Sequence, residues 1–306
     1  MCDPGPDPYG ALRSRLVDAG LLIPSSVRGV YGRSGVFEAV TEGLEALVTR
    51  AGADQRAEVM RFPPVFPRAA YEKTNHAHNF PDLLGSVHTF TGGRREHLAL
   101  LETYEAGEDW TRDLVPAEVM LIPAACYPLY PTASGVLPEG GRVVDLRSYV
   151  FRHEPSDDPA RMQIFRQREY VRLGTAEEAA THRDLWLERG QALLSDLGLP
   201  VERVVANDPF FGRGGRLAKA TQREQTLKYE LVVPVANAEK PTAISSANCH
   251  LDAFGLAFDI RTANGEPAHT ACIGFGLERC TLALFATHGL DPERWALEVR
   301  EPLGLA

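Results

Sequence analysis

At 306 residues and 44% hydrophobic content, the chain can bury one sizeable core. Its formal charge of −9 excludes a general nucleic-acid binder that relies on phosphate neutralisation, and 27 glycines and 22 prolines without a period exclude a collagen-like chain. No stretch approaches the roughly 18 apolar residues of a membrane span, and the acidic, proline-bearing start does not read as a signal peptide, so a cytoplasmic protein is expected. In chain order, residues 11–22 give a short amphipathic helix signal. Ser34 can cap a second helix over 36–50, where Phe37, Val40, Leu44 and Leu47 recur at helical spacing. Residues 58–62 read as a strand halted by Pro63 and Pro64, and 96–104 as helical. Strands are then expected at 121–129 and 143–151, around a Gly/Pro-rich turn at 135–141. Another follows at 163–173, then a long helix at 177–197, and strands at 227–235 and 256–261. Finally a strand at 271–275 runs through glycines into a helix at 277–287.

No repeat or flexible linker divides the chain. One domain over 1–306 is expected, with a helical accessory segment around 175–200. Short connections between the later strands predict an α+β fold built on a mostly antiparallel sheet flanked by helices.

The segment Gly274–Phe275–Gly276–Leu277–Glu278–Arg279–Cys280 joins a strand to a helix through two glycines. Backbone N–H groups at a helix start favour an anion, and an arginine fork adds charge-assisted bonds to phosphate. The same arginine also fits an ordinary surface position. Arg152 and Glu154, two residues apart, share one face if their segment is extended. They could hold a phosphate and a base amino group, with Phe165 as a flat apolar surface; a salt-bridged hairpin is the competing reading. Five cysteines, at positions 2, 126, 249, 272 and 280, are scattered and odd in number, which argues against a disulfide framework.

These segments resemble a known superfamily. The stretch from Arg152 to Glu169 looks like motif 2 of class II aminoacyl-tRNA synthetases, and Gly274 to Leu284 closely resembles their motif 3. Leu227 to Glu230 and Ser245 to Cys249 are similar to the core of seryl-tRNA synthetases. Within that group, the best resemblance is to amino acid:[carrier protein] ligases, small homologues of the methanogen-type seryl enzymes that lack the tRNA-binding domain. The resemblance implies the class II catalytic fold. It also implies activation of a small amino acid, glycine first and alanine next, with ATP, and transfer to the phosphopantetheine of a small acidic carrier protein. Arg152 would bind the α-phosphate and Arg279 the γ-phosphate. Glu154 would meet the adenine amino group, Phe165 would stack on the ring, and Arg161 would steady the β/γ end. Cys126, Glu169 and Cys272 would hold one zinc ion per subunit, and magnesium would arrive with ATP. Glu230 and Asn248 are candidate amino-acid pocket residues, while Cys249 and Cys280 suit packing or the pocket wall.

Two departures stand out. Ala243 and Ile244 occupy a place where seryl enzymes carry an acid, so Glu230 or Glu239 would have to compensate in holding metal on the ATP phosphates. Motif 1, which forms dimers in the superfamily, is matched only loosely by residues 37–63, and a homodimer is expected on that basis. The cluster Arg213, Arg216 and Lys219 lies in a glycine-rich stretch. It can face an acidic carrier, clamp ATP or form a plain surface loop. Two alternatives remain: tRNA aminoacylation by a minimal enzyme, which the acidic charge disfavours, and a non-catalytic paralogue acting as an interaction protein.

Overall fold

The computed structural model describes residues 7–208 and 226–306. Its centre is a seven-stranded sheet whose strands are, in chain order, β1 (Glu58–Arg61), β2 (Arg142–Phe151), β3 (Ile164–Gly174), β4 (Glu202–Val205), β5 (Lys228–Val233), β6 (Thr242–Leu251) and β7 (His269–Gly276). They lie in the order β4-β5-β6-β7-β3-β2-β1. Every pairing is antiparallel except β1 on β2, which is parallel. The expected α+β fold is therefore present. Among the described residues, no helix is long and apolar enough to cross a membrane.

The period-2 alternation of strands divides the chemistry. On one face Tyr170 and Phe275 meet Trp186 of the Ala176–Asp196 helix, Tyr170 at a ring distance of 4.2 Å and Phe275 at 6.3 Å. That helix starts at a capping box in which Thr175 accepts from the Glu178 N–H and Glu178 accepts from the Thr175 N–H. On the other face Phe165, Gln167 and Glu169 of β3 and Cys272, Gly274 and Gly276 of β7 line a cavity.

The Leu277–His288 helix follows β7 directly and packs on the Gly35–Ala51 helix. Ser34 caps the latter as expected, accepting from the Phe37 N–H at 3.3 Å. The two helices meet through Phe37 and Phe285 and through a buried contact of 3.0 Å between the Thr41 and Thr281 hydroxyls. Glu278, 1% exposed, is held by Arg166 at 2.7 Å, which anchors the helix start to β3.

Three expected elements are corrected. The first helix is Pro8–Asp18, because Asp7 accepts from the Tyr9 and Gly10 N–H groups and Gly20, at φ 68°, turns the chain away. The strand expected at 121–129 is instead Val115–Leu121, paired with Ser86–Thr89 and Val65–Pro67. Pro123 and Pro128 lack ladder donors, so residues 122–128 form turns. Of the strand expected at 256–261 only Ile260–Arg261 is extended, since Ala253–Phe258 is a helix with Phe254 stacked 3.8 Å from Tyr130. A short apolar run fits either conformation, and here packing decides. Strand β6 escapes the hydrophobic pattern altogether, because Ser246, Asn248 and His250 interrupt it where they line the cavity.

Candidate active site

The cavity on the open face of the sheet has a volume of about 1380 Å³. It collects Arg152, Glu154, Arg161, Phe165 and Arg279 with Cys126, Glu169 and Cys272, and also Glu230 and Asn248. Register explains the convergence. Glu230 stands opposite Ser246 and Ser246 opposite Gly274, which in turn faces Glu169. One step along, Lys228, Asn248 and Cys272 form the adjacent row. Gly274 and Gly276 put no side chain on this floor, leaving space above it.

At one end, Phe165 is 5% exposed and lies under two guanidiniums, Arg152 at 5.6 Å and Arg279 at 5.7 Å from the ring centre. Both arginines are oriented by carbonyls: Arg152 Nε donates to Pro123 O at 3.0 Å, and Arg279 donates to Ala160 O at 2.8 Å and Ala243 O at 3.1 Å. Burial and the neighbouring Arg152 charge lower the Arg279 pKa to about 10. Two crowded cations of this kind call for an anion between them. Glu154 and Arg161 pair with each other at 3.1 Å. Where seryl enzymes carry an acid, the chain offers backbone instead: Ala243 O holds Arg279 and Ile244 O accepts from Cys280 Sγ at 3.4 Å. Glu230 lines the cavity, whereas the exposed Glu239 is not among its lining residues.

At the other end, Cys126 comes from the turn after Leu121, and Glu169 and Cys272 from the sheet. Hydrogen bonding between the two sulfurs raises the Cys126 thiol well above its ordinary value and lowers Cys272 well below. Burial, with the Cys272 charge, pushes Glu169 up to about 8. Glu169 Oε1 accepts from the Ala125 N–H at 3.1 Å, while the buried Oε2 has no hydrogen-bond partner among the described residues. Asn248 Nδ2 and His250 Nε2 each lie 3.7 Å from Cys272 Sγ. Among the described residues, no three such side chains already stand at metal-coordinating geometry. The donor chemistry nevertheless fits zinc: two sulfurs and a carboxylate with an oxygen unused among the described residues. Cys249 is half-buried and lines the cavity, whereas Cys280 is buried on the Leu277–His288 helix, where burial pushes its thiol up to about 12.

Two cavity residues are not singled out by the sequence: Lys228, although it lies in the Leu227–Glu230 segment, and His76. Lys228 bridges Asp208 at 2.6 Å and Glu230 at 3.1 Å. Its alternation with Glu230 on β5 is the one sequence sign that both face the same way. His76 is 5% exposed, and burial together with the Arg152 charge holds its pKa at about 4. Nothing in its local sequence marks it. Arg213, Arg216 and Lys219 lie outside the described residues.

No protein-family model matches the chain. Over 279 residues it is 46% identical to amino acid–[acyl-carrier-protein] ligase 1 of Bradyrhizobium diazoefficiens, covering 90% of this chain and 85% of that protein. It is 26% identical over 292 residues to the type-2 serine–tRNA ligase of Methanopyrus kandleri, covering 88% of this chain but 54% of that protein. Among solved structures, the M. kandleri SerRS in complex with A. aeolicus tRNASec matches 99% of this chain and 62% of its own, with a TM-score of 0.82 at 23% identity. That last likeness establishes the class II synthetase fold.

Proposed function

The chain belongs to the amino acid–[acyl-carrier-protein] ligase family, and from that premise we propose that it activates a small amino acid with ATP and loads it onto the phosphopantetheine thiol of a carrier protein. The observation that carries this reading is a single cavity holding a nucleotide-compatible end and a thiol–thiol–carboxylate end. A bound ATP would place its α-phosphate at Arg152 and its γ-phosphate at Arg279, with Arg161 at the β/γ end. Adenine would take the Phe165 face and the Glu154 carboxylate, replacing the present Glu154–Arg161 pair. Magnesium would come with the nucleotide.

The chemistry needs no protein nucleophile. A carboxylate oxygen of the amino acid attacks the α-phosphorus in line and pyrophosphate leaves; Arg152 offsets the charge that develops. The carrier thiol then attacks the acyl carbon, AMP leaves and the thiol proton is released. Cys126, Glu169 and Cys272 would hold zinc, which as a Lewis acid would take the amino group of the substrate. Glu230 and Asn248, on adjacent rows of the same floor, would bound the space left for the side chain. Glycine is the first candidate substrate and alanine the second. One methyl is worth only about 1–3 kcal/mol of discrimination, so both should be used.

Likeness to serine–tRNA ligases supports a second reading, tRNA aminoacylation. The net charge of −9 weighs against it. A non-catalytic role is disfavoured because Arg152 and Arg279 both face the cavity. A homodimer through the helix Gly35–Ala51 and the edge strand β1 is proposed on the partial motif 1 match, with sedimentation as its test. The deciding experiment is amino-acid-dependent ATP–pyrophosphate exchange across all twenty amino acids, followed by thioester formation on a small acidic holo-carrier protein. Exchange with glycine or alanine and a labelled carrier would support the proposal; no exchange from folded, zinc-loaded protein would overturn it.

A further inference from the structure

One wall of the cavity comes from outside the main sheet, at the short His76–Asn79 helix, which the chain enters through Asn75 at φ 56°. The His76 ring is packed edge-on to Tyr71 at 5.5 Å and to Tyr127 at 5.6 Å, and tilted against Phe80 at 4.9 Å. Its Nδ1 lies 3.0 Å from the Tyr127 hydroxyl. Its Nε2 is buried and has no hydrogen-bond partner among the described residues.

The proton positions follow from satisfying the pair. A phenol keeps its proton at neutral pH. Among the described residues, His76 is the hydrogen-bond partner of that hydroxyl. If the hydroxyl donates to Nδ1, the ring proton sits on Nε2 and one donor is left over. If instead Nδ1–H donates to the hydroxyl, both the phenol proton and Nε2 lack partners. The first arrangement leaves fewer orphans, so the ring presents a neutral Nε2–H. A buried donor without a partner costs about 1–3 kcal/mol, which an acceptor on a ligand removes.

The surroundings select that acceptor. The Arg152 charge bears on the ring, and Tyr127 directly follows Cys126 in the chain. In the proposed function Arg152 meets the α-phosphate and Cys126 belongs to the end that takes the amino group. The carboxyl carbon of the amino acid must lie between these two points. We infer that His76 Nε2–H donates a hydrogen bond to the non-attacking carboxyl oxygen of the bound amino acid, and to the carbonyl oxygen once the adenylate has formed. This assignment rests on the adenylation reading of the cavity. A neutral donor suits the position, because burial and the Arg152 charge outweigh the Asp208 carboxylate in disfavouring a cation on the ring.

Three variants separate this role from simple packing. The amide nitrogen of His76→Gln can stand in for Nε2. The shorter amide of His76→Asn reaches only the Nδ1 position beside Tyr127, and His76→Phe keeps the ring shape with neither nitrogen. All three are compared with wild-type protein in glycine- and alanine-dependent ATP–pyrophosphate exchange, with folding checked by circular dichroism. His76→Gln should stay within about tenfold of wild type. His76→Asn and His76→Phe should lose roughly 100-fold in kcat, the loss expected on removing one donor to a developing charge, with the KM for ATP little changed. Wild-type activity in folded His76→Asn, or equal loss in folded His76→Gln and His76→Phe, would overturn the inference alone. Absence of exchange in the wild type would overturn the proposed function and this assignment with it.

Discussion

Replacing Phe165 by leucine tests the nucleotide end of the cavity, because that change keeps most of the volume and removes the aromatic face. The ring is 5% exposed and lies under the Arg152 and Arg279 guanidiniums at 5.6 and 5.7 Å. A volume-conserving apolar swap costs under about 1.5 kcal/mol. Loss of two partly exposed cation–π contacts adds roughly 0.5–1 kcal/mol each. The folded state should therefore weaken by about 1–3 kcal/mol and remain folded in buffer. Binding should suffer separately. Stacking of a base on an aromatic ring is worth about 1–3 kcal/mol, so the KM for ATP in pyrophosphate exchange should rise roughly 5- to 150-fold. The KM for the amino acid should move little, since its proposed site is at the Cys126–Glu169–Cys272 end. Urea denaturation measures the first quantity and exchange kinetics at saturating glycine the second. A KM for ATP within twofold of wild type, on protein destabilised as expected, would refute adenine stacking on Phe165.

Other consequences can be checked in the same way. His182 is buried on the Ala176–Asp196 helix with Nε2 3.1 Å from Tyr170 O, and burial lowers its pKa to about 4. Below the ordinary histidine value of about 6.5 the unfolded chain takes up a proton that the folded chain refuses, so stability should fall as pH drops from 6.5 towards 4, by about 3 kcal/mol in all. Urea titrations at pH 7, 6 and 5 should show a shallower decline in His182→Gln, and identical slopes would refute the assignment. Lys228→Met removes the buried ammonium shared by Asp208 and Glu230, and should cost on the order of 3–5 kcal/mol in urea denaturation. A loss below about 1 kcal/mol would show that the cluster tolerates like charges. For the proposed zinc site, Cys272→Ser should reduce bound zinc from one per subunit to a small fraction by elemental analysis of purified protein, while Cys249→Ser should retain it. Equal zinc in both would remove Cys272 from the ligand set.

Features under local control were legible in the sequence. Ser34 and the spacing of Phe37, Val40 and Leu44 set the Gly35–Ala51 helix, and Pro63 and Pro64 ended the strand before them. The long β2 and β3 strands and the glycine-led passage from β7 into the Leu277–His288 helix were legible from alternation and turn residues, and with them the positions of Arg152, Phe165 and Arg279. Local rules failed where apolar content was ambiguous, as at Ala253–Phe258, or where a strand turned polar residues toward the cavity, as at β6. Tertiary structure alone decided which distant residues meet. Antiparallel register set Cys272 between Asn248 and Val171 and brought it diagonally next to Glu169, and the turn carrying Cys126 was pinned over them through the Ala125 N–H. His76 and Tyr127, 51 residues apart, became a pair only because the His76–Asn79 helix folds onto the turn after Leu121. The physical reason is that periodicity fixes the face a side chain takes on its own element. Register and packing between elements, which depend on the whole core, fix what that face confronts.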